Sequence, residues 1–543
     1  MKKQALFCLF LSSLLASGAE AQSQEAAAGA PQVALHSTKD AVPYAATIKA
    51  DDLKSYLTEL ASDAFEGRET GTEGQRKAAE YIAGKFAEFG LPAIGEEGSY
   101  FQKITFTTES WNNGSPRLEV NGTSYKHLSE FITFPSLNAS RPEFKASEVL
   151  FLGYGIDDPR YSDYKGVDVR GKTVMIYSGE PVNDKDISWL TGNQTRSEWS
   201  ENWRKKLEAA QRHGVSTLLI IDPEIKKTAG EGRRGLLRGE MKMGEGEQPE
   251  LRYANSVLIS STLAREIVGK KFRKFVRLRD GIRKSGKPAR MALLADLQLG
   301  QLKDVKKLTG VNVLGYIEGT DPVLKNEVVV VSAHFDHLGK RGESIYRGAD
   351  DNASGTSTVM EIAQALAQAR KEGRGPRRSV LCLLVSGEEK GLLGSAYYSE
   401  HPVFPIENTI ANVNVDMVGR TDKAHEGNPE YIYVIGSDRL STELHHINEA
   451  VNATYTNVTL DYTFNAEDDP NRFYYRSDHY NFAKKGIPAI FYFSGVHEDY
   501  HQPGDTADKI LYGKMEKIGH LIFYTTWELA NRPERIKVDV KQE

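Results

Sequence analysis

The pattern of apolar residues changes along the chain and predicts where strands and helices lie. From about residue 308 onwards, short continuous apolar runs alternate with stretches whose apolar residues recur at helical spacing. Continuous runs of this length are typical of strands that are buried on both faces of a sheet. The predicted strands are residues 312–317, 328–332, 380–385, 410–415, 432–435 and 489–493. This alternation predicts an α/β fold with a mixed, mostly parallel central sheet flanked by helices.

The N-terminal part of the chain also shows helical periodicity. Residues 51–60 and the stretch from 73 to 89 are predicted helices, and Thr72 and Gln75 have the spacing of a capping box. After about residue 110, short strand-like runs separated by turn residues follow instead. We therefore expect one α/β domain built from residues 47–112 and 301–535, with a β-rich insert at 113–300 and a tail at 536–543.

The first residues have the form of an export signal. Lys2 and Lys3 precede an apolar stretch at residues 5–15, which is too short to span a bilayer. Ala19, Glu20 and Ala21 then have the pattern of a signal-peptidase cleavage site. We expect a signal peptide at 1–21, a flexible leader at 22–46, and an exported protein, periplasmic or secreted, without a stable membrane anchor after signal removal.

Composition narrows the classes of protein that this chain can represent. Of its 543 residues, 40% are hydrophobic and 26% are charged, which is typical of a globular protein with more than one folding unit. The net charge of −5 is spread along the chain and argues against nucleic acid as the main partner. Cys382 is the only cysteine after the expected signal, so no internal disulfide is predicted.

Histidine and carboxylate side chains follow three of the predicted strands. His334 comes after the strand at 328–332, Glu388 and Glu389 come after 380–385, and Asp416 ends 410–415. In open α/β sheets, ligands bind outside the carboxyl ends of the strands. Imidazole and carboxylate suit zinc, and a shared carboxylate can hold two ions about 3.5–4 Å apart. These positions predict a two-metal hydrolytic centre.

Six segments together resemble the exported di-zinc aminopeptidases, a family that also contains glutamate carboxypeptidases and glutaminyl cyclases. The segments are Phe65-Glu66-Gly67-Arg68, His334-Phe335-Asp336-His337, Asp350-Asp351-Asn352, Glu388-Glu389 with Asp416, and Tyr500-His501. The resemblance implies two zinc ions per chain. It places His334 and Asp416 on one zinc and Glu389 and His501 on the other. It makes Asp351 the bridge between them, with a cis peptide bond to the next residue.

The resemblance also implies catalytic and supporting roles. Glu388 would be the general base, and Asp336 would orient His334. Tyr500 would donate a hydrogen bond to the tetrahedral oxyanion, although a tyrosine packed at the base of its loop is the alternative. Four nearby residues are expected only to support or line the site or to lie at the surface: His337, Asp350, His479 and His497. By analogy with the family, residues 476–479 and 494–499 would line the substrate pocket.

The insert resembles the protease-associated domain found in some members of the family. Residues 149–156, 169–174 and 209–215 carry this likeness. Such modules frame the cleft, and no residue of the insert is predicted to be catalytic.

Four functions are compatible with these motifs. The leading hypothesis is an aminopeptidase acting on peptide substrates. A carboxypeptidase or dipeptidase of the same family would need a cation for the substrate carboxylate, and Arg420 is a candidate, although a structural role for it is favoured. A glutaminyl cyclase would use a single zinc, and a non-enzymatic binding protein would lack some of the ligands or the base, none of which is missing here.

Overall fold

The computed structural model describes residues 33–36, 38–232, 236, 239–244 and 252–541. The predicted signal peptide, residues 1–21, and residues 22–32 of the predicted leader lie outside the described residues. Within the described part of the chain, no helix is long and apolar enough to cross a membrane.

The described residues contain the following helices and strands. The helices are α1 (Thr38–Ala45), α2 (Ala50–Leu60), α3 (Glu73–Glu88), α4 (Glu198–Glu201), α5 (Arg204–Arg212), α6 (Ile225–Glu231), α7 (Ser261–Val268), α8 (Phe272–Ser285), α9 (Gly355–Lys371), α10 (Leu393–Glu400), α11 (Thr442–Val451), α12 (His479–Ala483) and α13 (Tyr512–Asn531). The strands are β1 (Phe101–Trp111), β2 (Arg117–Val120), β3 (Thr123–Tyr125), β4 (Phe131–Ile132), β5 (Arg141–Leu152), β6 (Asp157–Asp158), β7 (Tyr161–Ser162), β8 (Thr173–Tyr177), β9 (Thr217–Ile221), β10 (Glu240–Met243), β11 (Asn255–Ile259), β12 (Arg290–Gln301), β13 (Lys303–Ile317), β14 (Val328–His334), β15 (Gly339–Arg341), β16 (Ser344–Tyr346), β17 (Ser379–Val385), β18 (Thr409–Val415), β19 (Tyr431–Ile435), β20 (Thr459–Asp461) and β21 (Ala489–Phe493).

The chain divides into two compact units. The first consists of the described residues up to 104 and from 309 onwards, and the second consists of residues 105–308. The insert expected at 113–300 lies within the second unit.

The first unit contains a mixed sheet in which strands follow the order β13–β17–β14–β18–β21–β19–β20. The strands β17, β14, β18 and β21 are parallel neighbours, whereas β13 and β19 pair antiparallel with β17 and β21. All six strands predicted in this part of the chain are present. The prediction of a mixed, mostly parallel sheet flanked by helices is therefore confirmed.

Helices cover both faces of this sheet, which explains why its central strands are mostly apolar. Along β14, Val329 and Val331 enter one core together with α9 and α13. Val328 and Val330 enter the core on the other face, which contains Tyr398 of α10. Successive strand residues point to opposite faces, so a strand covered on both sides is apolar at most positions.

The second unit has its own eight-stranded sheet, in the order β3–β2–β12–β5–β8–β9–β11–β4. Residues of β8 alternate between two cores, with Val174 and Ile176 packed in the core that contains α5 and Met175 in the core that contains α7. The strands β5, β8, β9 and β11 are parallel neighbours. The helices α5 and α7 contribute to the two cores beside them.

The flexible leader predicted at 22–46 is wrong for residues 38–45, which form α1. Ala41, Tyr44 and Ala45 are buried, and the Tyr44 ring stacks on Trp527 of α13 with 5.8 Å between ring centroids. The tail predicted from residue 536 is also packed, because Ile536 is buried in the same core. In both segments few or small apolar residues make the buried face, so the hydrophobic periodicity is weak.

Candidate metal centre

Parallel strands place the predicted metal-site residues at one edge of the first unit's sheet. His334 is the last residue of β14, Asp416 directly follows β18, and Glu388 and Glu389 lie three and four residues after β17. In the sheet β14 lies between β17 and β18, so the three carboxyl ends are adjacent. Asp351 comes from the segment that leads into α9, and the segment after β21 supplies the remaining histidine.

One set of donor atoms surrounds His334. Its Nε2 atom lies 3.3 Å from Asp416 Oδ1 and 3.4 Å from Asp351 Oδ1. The carboxylate of Glu388 approaches the same nitrogen, with Oε2 at 4.0 Å. His334, Asp351 and Asp416 are buried and have the chemistry and spacing of a metal site.

A second set of donor atoms surrounds the other oxygen of Asp351. His501 Nε2 lies 3.1 Å from Asp351 Oδ2 and 3.1 Å from Glu389 Oε1. His337 approaches the same two carboxylates, with Nδ1 at 3.0 Å from Glu389 Oε1 and 3.8 Å from Asp351 Oδ2. The prediction places His501 here, but it treats His337 only as a supporting residue.

Hydrogen bonds to the backbone hold Asp351 between the two sets. The Asp505 carboxylate accepts hydrogen bonds from the backbone N–H groups of Asp350 and Asp351, at 3.0 and 3.1 Å. The peptide bond between Asp351 and Asn352 is cis, as the resemblance implies. The Asn352 side chain accepts hydrogen bonds from Gly355 N and Met417 N, which ties this segment to α9 and to the end of β18.

The buried Arg68 fixes the loops around the site, which gives a physical role to the Phe65–Arg68 segment. Its guanidinium donates to the backbone carbonyls of Phe335 and Gly348, at 2.8 and 2.9 Å. These carbonyls lie next to the two segments that carry His334 and Asp351. Arg68 therefore positions both segments without contacting a donor atom.

The charges of the two donor sets shift each other's pKa values. Burial alone would lower the pKa of His334, but the carboxylates of Asp416 and Glu388 raise it well above its usual range. Burial opposes protonation of His501 too, yet hydrogen bonds to Asp351 and Glu389 raise the pKa of His501 to about 9. Metal ligation requires neutral imidazoles, so cations bound at these carboxylates would release protons from both rings.

The residues present fit the zinc ions that the resemblance implies. Both ring nitrogens of His337 are buried without a hydrogen-bond partner in the part of the chain that the structure describes, and Nδ1 faces Asp351 and Glu389. Buried polar atoms are normally satisfied, so such an atom beside a cluster of carboxylates indicates a ligand. The donors are imidazole nitrogens and carboxylate oxygens, which zinc accepts at about 2.0–2.2 Å.

The resemblance gives the Asp336 carboxylate the role of orienting His334, but the two side chains are not hydrogen-bonded. His334 Nδ1 lies 3.1 Å from the backbone carbonyl oxygen of Asp336 and 3.9 Å from its carboxylate. The carboxylate instead accepts hydrogen bonds from Thr70 Oγ1, at 2.6 Å, and from the backbone N–H of Glu388, at 3.2 Å. The backbone carbonyl thus orients the histidine, and the carboxylate positions the segment of Glu388.

We therefore predict that Asp336→Asn lowers kcat about tenfold, at the weaker end of the range for groups that support a metal ligand. The zinc content should not change, because the backbone carbonyl still orients His334. Steady-state kinetics and elemental analysis of the same preparation measure both quantities. Loss of zinc from the variant would show that the carboxylate is needed to hold the histidine.

A pocket opens beside the donor atoms, and part of its lining is apolar. Its lining includes the site residues His334, Asp351, Glu388, Asp416 and His501. Its apolar lining residues are Met417, Phe473, Phe491, Phe493 and Val496. Val496 belongs to the predicted lining segment 494–499, but the sequence reasoning missed the other four.

Tyr500 and Arg476 complete the polar rim of the pocket. The Tyr500 ring stacks on His501 with 3.9 Å between centroids, and its hydroxyl oxygen lies 3.5 Å from Arg476. His479 is in contrast fully buried and stacks on Phe491. Of the predicted segment 476–479, Arg476 therefore faces the pocket and His479 lies behind its wall.

Arg420 is paired with acidic side chains. Its guanidinium donates to Glu498 at 3.0 Å and to Asp499 at 3.1 Å. This agrees with the structural role that the sequence favours. His497 likewise faces Asp350, with Nε2 at 3.3 Å from Oδ2, and supports the segment of Asp351.

Comparison with known proteins finds one family for the part of the chain that carries these residues. Residues 312–526 match the family model described as Peptidase family M28. A "Probable leucine aminopeptidase" of Arthroderma otae is 31% identical over 216 residues, which cover 38% of this chain and 56% of that protein. A "Probable zinc metalloprotease" of Pyrenophora teres f. teres is 30% identical over 268 residues, which cover 41% of this chain and 52% of that protein. The predicted resemblance to zinc aminopeptidases is confirmed.

A solved structure supports the fold over a longer part of the chain. The aminopeptidase from Aneurinibacillus sp. strain AM-1 aligns with a TM-score of 0.54 at 19% identity, covering 92% of this chain and 98% of that chain. At this identity the likeness shows the fold alone. The chain spans about half the length of the curated relatives that it matches.

Proposed function

We propose that this protein is a zinc-dependent aminopeptidase that removes N-terminal residues from peptides. The placement of Asp351 carries the proposal. Its Oδ1 atom faces His334, and its Oδ2 atom faces His501. One carboxylate between two sets of donors is the arrangement that two co-catalytic zinc ions require.

Each remaining residue of the site has a role in peptide hydrolysis. When bound, two zinc ions would lower the pKa of water and polarise the scissile carbonyl. Glu388 takes a proton from the attacking water and returns it to the departing amine. The Tyr500 hydroxyl donates a hydrogen bond to the tetrahedral oxyanion. The aromatic wall of the pocket receives the side chain of the N-terminal residue, and its apolar character favours a large apolar one.

Two observations bear on the alternative functions. Two donor sets disfavour a single-zinc glutaminyl cyclase, and the presence of every predicted donor and of Glu388 disfavours a binding protein without activity. A carboxypeptidase or dipeptidase is the second candidate, because Arg476 at the rim of the pocket offers a guanidinium to a substrate carboxylate. Arg420 does not serve this purpose, since Glu498 and Asp499 engage it.

A panel of aminoacyl anilides, each with a free and an N-acetylated amine, tests the proposal. Leucyl and phenylalanyl anilides with free amines should be cleaved, and the glutamyl anilide should be cleaved at least about tenfold less efficiently because its charge must enter an apolar pocket. N-acetylation should reduce kcat/KM at least about 100-fold, since it removes the charged amine that an acidic site attracts.

Protein treated with a chelator and then restored with zinc is the control for metal dependence. Cleavage that ignores N-acetylation would overturn the aminopeptidase assignment. Cleavage of N-acetylated dipeptides, lost when their C-terminus is amidated, would establish the second candidate instead.

The proposal also covers the location of the enzyme, its substrates and its second unit. The pattern at residues 1–21 supports export, to the periplasm or the medium, and peptides are the expected partners. We propose that the second unit corresponds to the protease-associated domain that its sequence resembles.

A further inference from the structure

A third histidine faces the same pair of carboxylates as His501. Both imidazoles lie about 3 Å from Glu389 Oε1, with His337 Nδ1 at 3.0 Å and His501 Nε2 at 3.1 Å. Both also approach Asp351 Oδ2, at 3.8 and 3.1 Å. The two rings meet edge to face with 5.9 Å between centroids, so neither displaces the other.

The distances from each imidazole nitrogen to the two carboxylates are close to those between ligands of a common ion. Tetrahedral bonds of about 2.0–2.2 Å separate neighbouring donor atoms by about 3.3–3.6 Å. The four measured separations among His337, His501, Asp351 and Glu389 are 3.0, 3.1, 3.1 and 3.8 Å. His337, Asp351 and Glu389 also meet the spacing of a metal site without His501.

The burial of His337 also supports its coordination of a metal ion. The side chain is fully buried, and neither of its ring nitrogens has a hydrogen-bond partner among the described residues. A polar ring buried in this state costs free energy unless another interaction compensates. Coordination through Nδ1, which faces the carboxylates, would supply that interaction.

We propose that His337 is a fourth protein ligand of the ion held by Asp351, Glu389 and His501. This inference rests on the proposed function, because it requires the second zinc ion. Four protein donors close that site, whereas His334, Asp351 and Asp416 leave an open position on the other ion. The two sites would therefore differ, and Glu388 lies beside the one with three protein donors, where a water could bind.

Zinc X-ray absorption of the purified full chain, loaded with zinc and analysed for metal content, tests the proposal. Three imidazoles on two ions give about 1.5 imidazoles per zinc, whereas His334 and His501 alone give about 1.0. His337→Asn should lower the count from about 1.5 to about 1.0. It should also lower the affinity for one of the two zinc ions about 100-fold or more, as measured by competition with a chelator. This is at or above the effect of residues that only orient a ligand.

His479→Asn is the matched control for metal binding. His479 is also fully buried, but it packs on the aromatic rings of Tyr474 and Phe491. Its replacement should leave the imidazole count and both zinc affinities unchanged. A wild-type count of about 1.0 with two zinc ions bound would overturn the role of His337 and leave the proposed function standing. A wild-type chain that binds fewer than two zinc ions would overturn the two-metal proposal itself. Both outcomes are read from the wild type, so they hold even if His337→Asn does not fold.

Discussion

Replacing Glu388 with glutamine should lower kcat about 10²–10⁴-fold, the usual contribution of a general base. Both zinc ions should stay bound. Glutamine keeps the size of the side chain but cannot take a proton at neutral pH. The Glu388 carboxylate lines the pocket and stands 4.0 Å from His334, farther than Asp416 or Asp351. That distance fits a base beside the site better than a ligand.

The electrostatics of the site support this role for Glu388. Burial and the neighbouring carboxylates of Glu389 and Asp416 raise its pKa, although His334 opposes them. Two bound cations would lower this pKa again and return it towards the range in which a base accepts a proton from water. The carboxylate therefore depends on the loaded site for its function.

Glu389→Gln is the matched control, because the same chemical change falls one residue further along the chain. Glu389 contacts His501 and His337 and is a predicted ligand. Its replacement should reduce the zinc content, whereas Glu388→Gln should not. Kinetics on a leucyl anilide and elemental analysis measure both effects. Unchanged turnover in Glu388→Gln would remove it from the role of base.

The sheet and half of the site could be predicted because both follow local rules. The strands β14, β17 and β18 are mostly apolar, since helices cover both faces of the sheet. Polar residues directly after such runs, such as His334 and Asp416, can only lie at the sheet edge. No resemblance was needed to place them there.

The rest of the site depends on contacts that local patterns do not encode. Asp351 and His501 lie in loops, and only the family resemblance pointed to them. The choice between Asp336 and His337 as neighbours of the metal centre is set by how one loop turns. In the sequence, Phe491 and Phe493 have the pattern of core residues. No local signal shows that their face of β21 borders a pocket. In each of these cases, the position of the side chain is decided by packing between residues that are far apart in the sequence.

Replacing Asp351 with asparagine should have the largest effect of any single change in the site. Asparagine offers one carbonyl oxygen, and its amide NH₂ group donates hydrogen bonds and cannot ligate a cation. The change also removes the negative charge that lies between two expected cations. We expect zinc content to fall below two ions per chain. Loss of the Lewis-acid contribution, several kcal/mol, corresponds to a decrease in kcat/KM on the order of 10³–10⁴-fold.

Asp350→Asn separates this bridging role from a general effect of removing a buried carboxylate. Asp350 is fully buried, but its oxygens face Gly419 N at 2.6 Å and His497 at 3.3 Å. The Asp350→Asn variant should retain both zinc ions and lose much less activity than Asp351→Asn. The reason is that the partners of Asp350 support the segment of Asp351 and hold no ion. Elemental analysis and leucyl-anilide kinetics on both variants compare them directly. If Asp350→Asn lost zinc and Asp351→Asn kept it, the bridge would be assigned to the wrong aspartate. The direction of each Asp351 oxygen, towards His334 on one side and His501 on the other, argues for the opposite result.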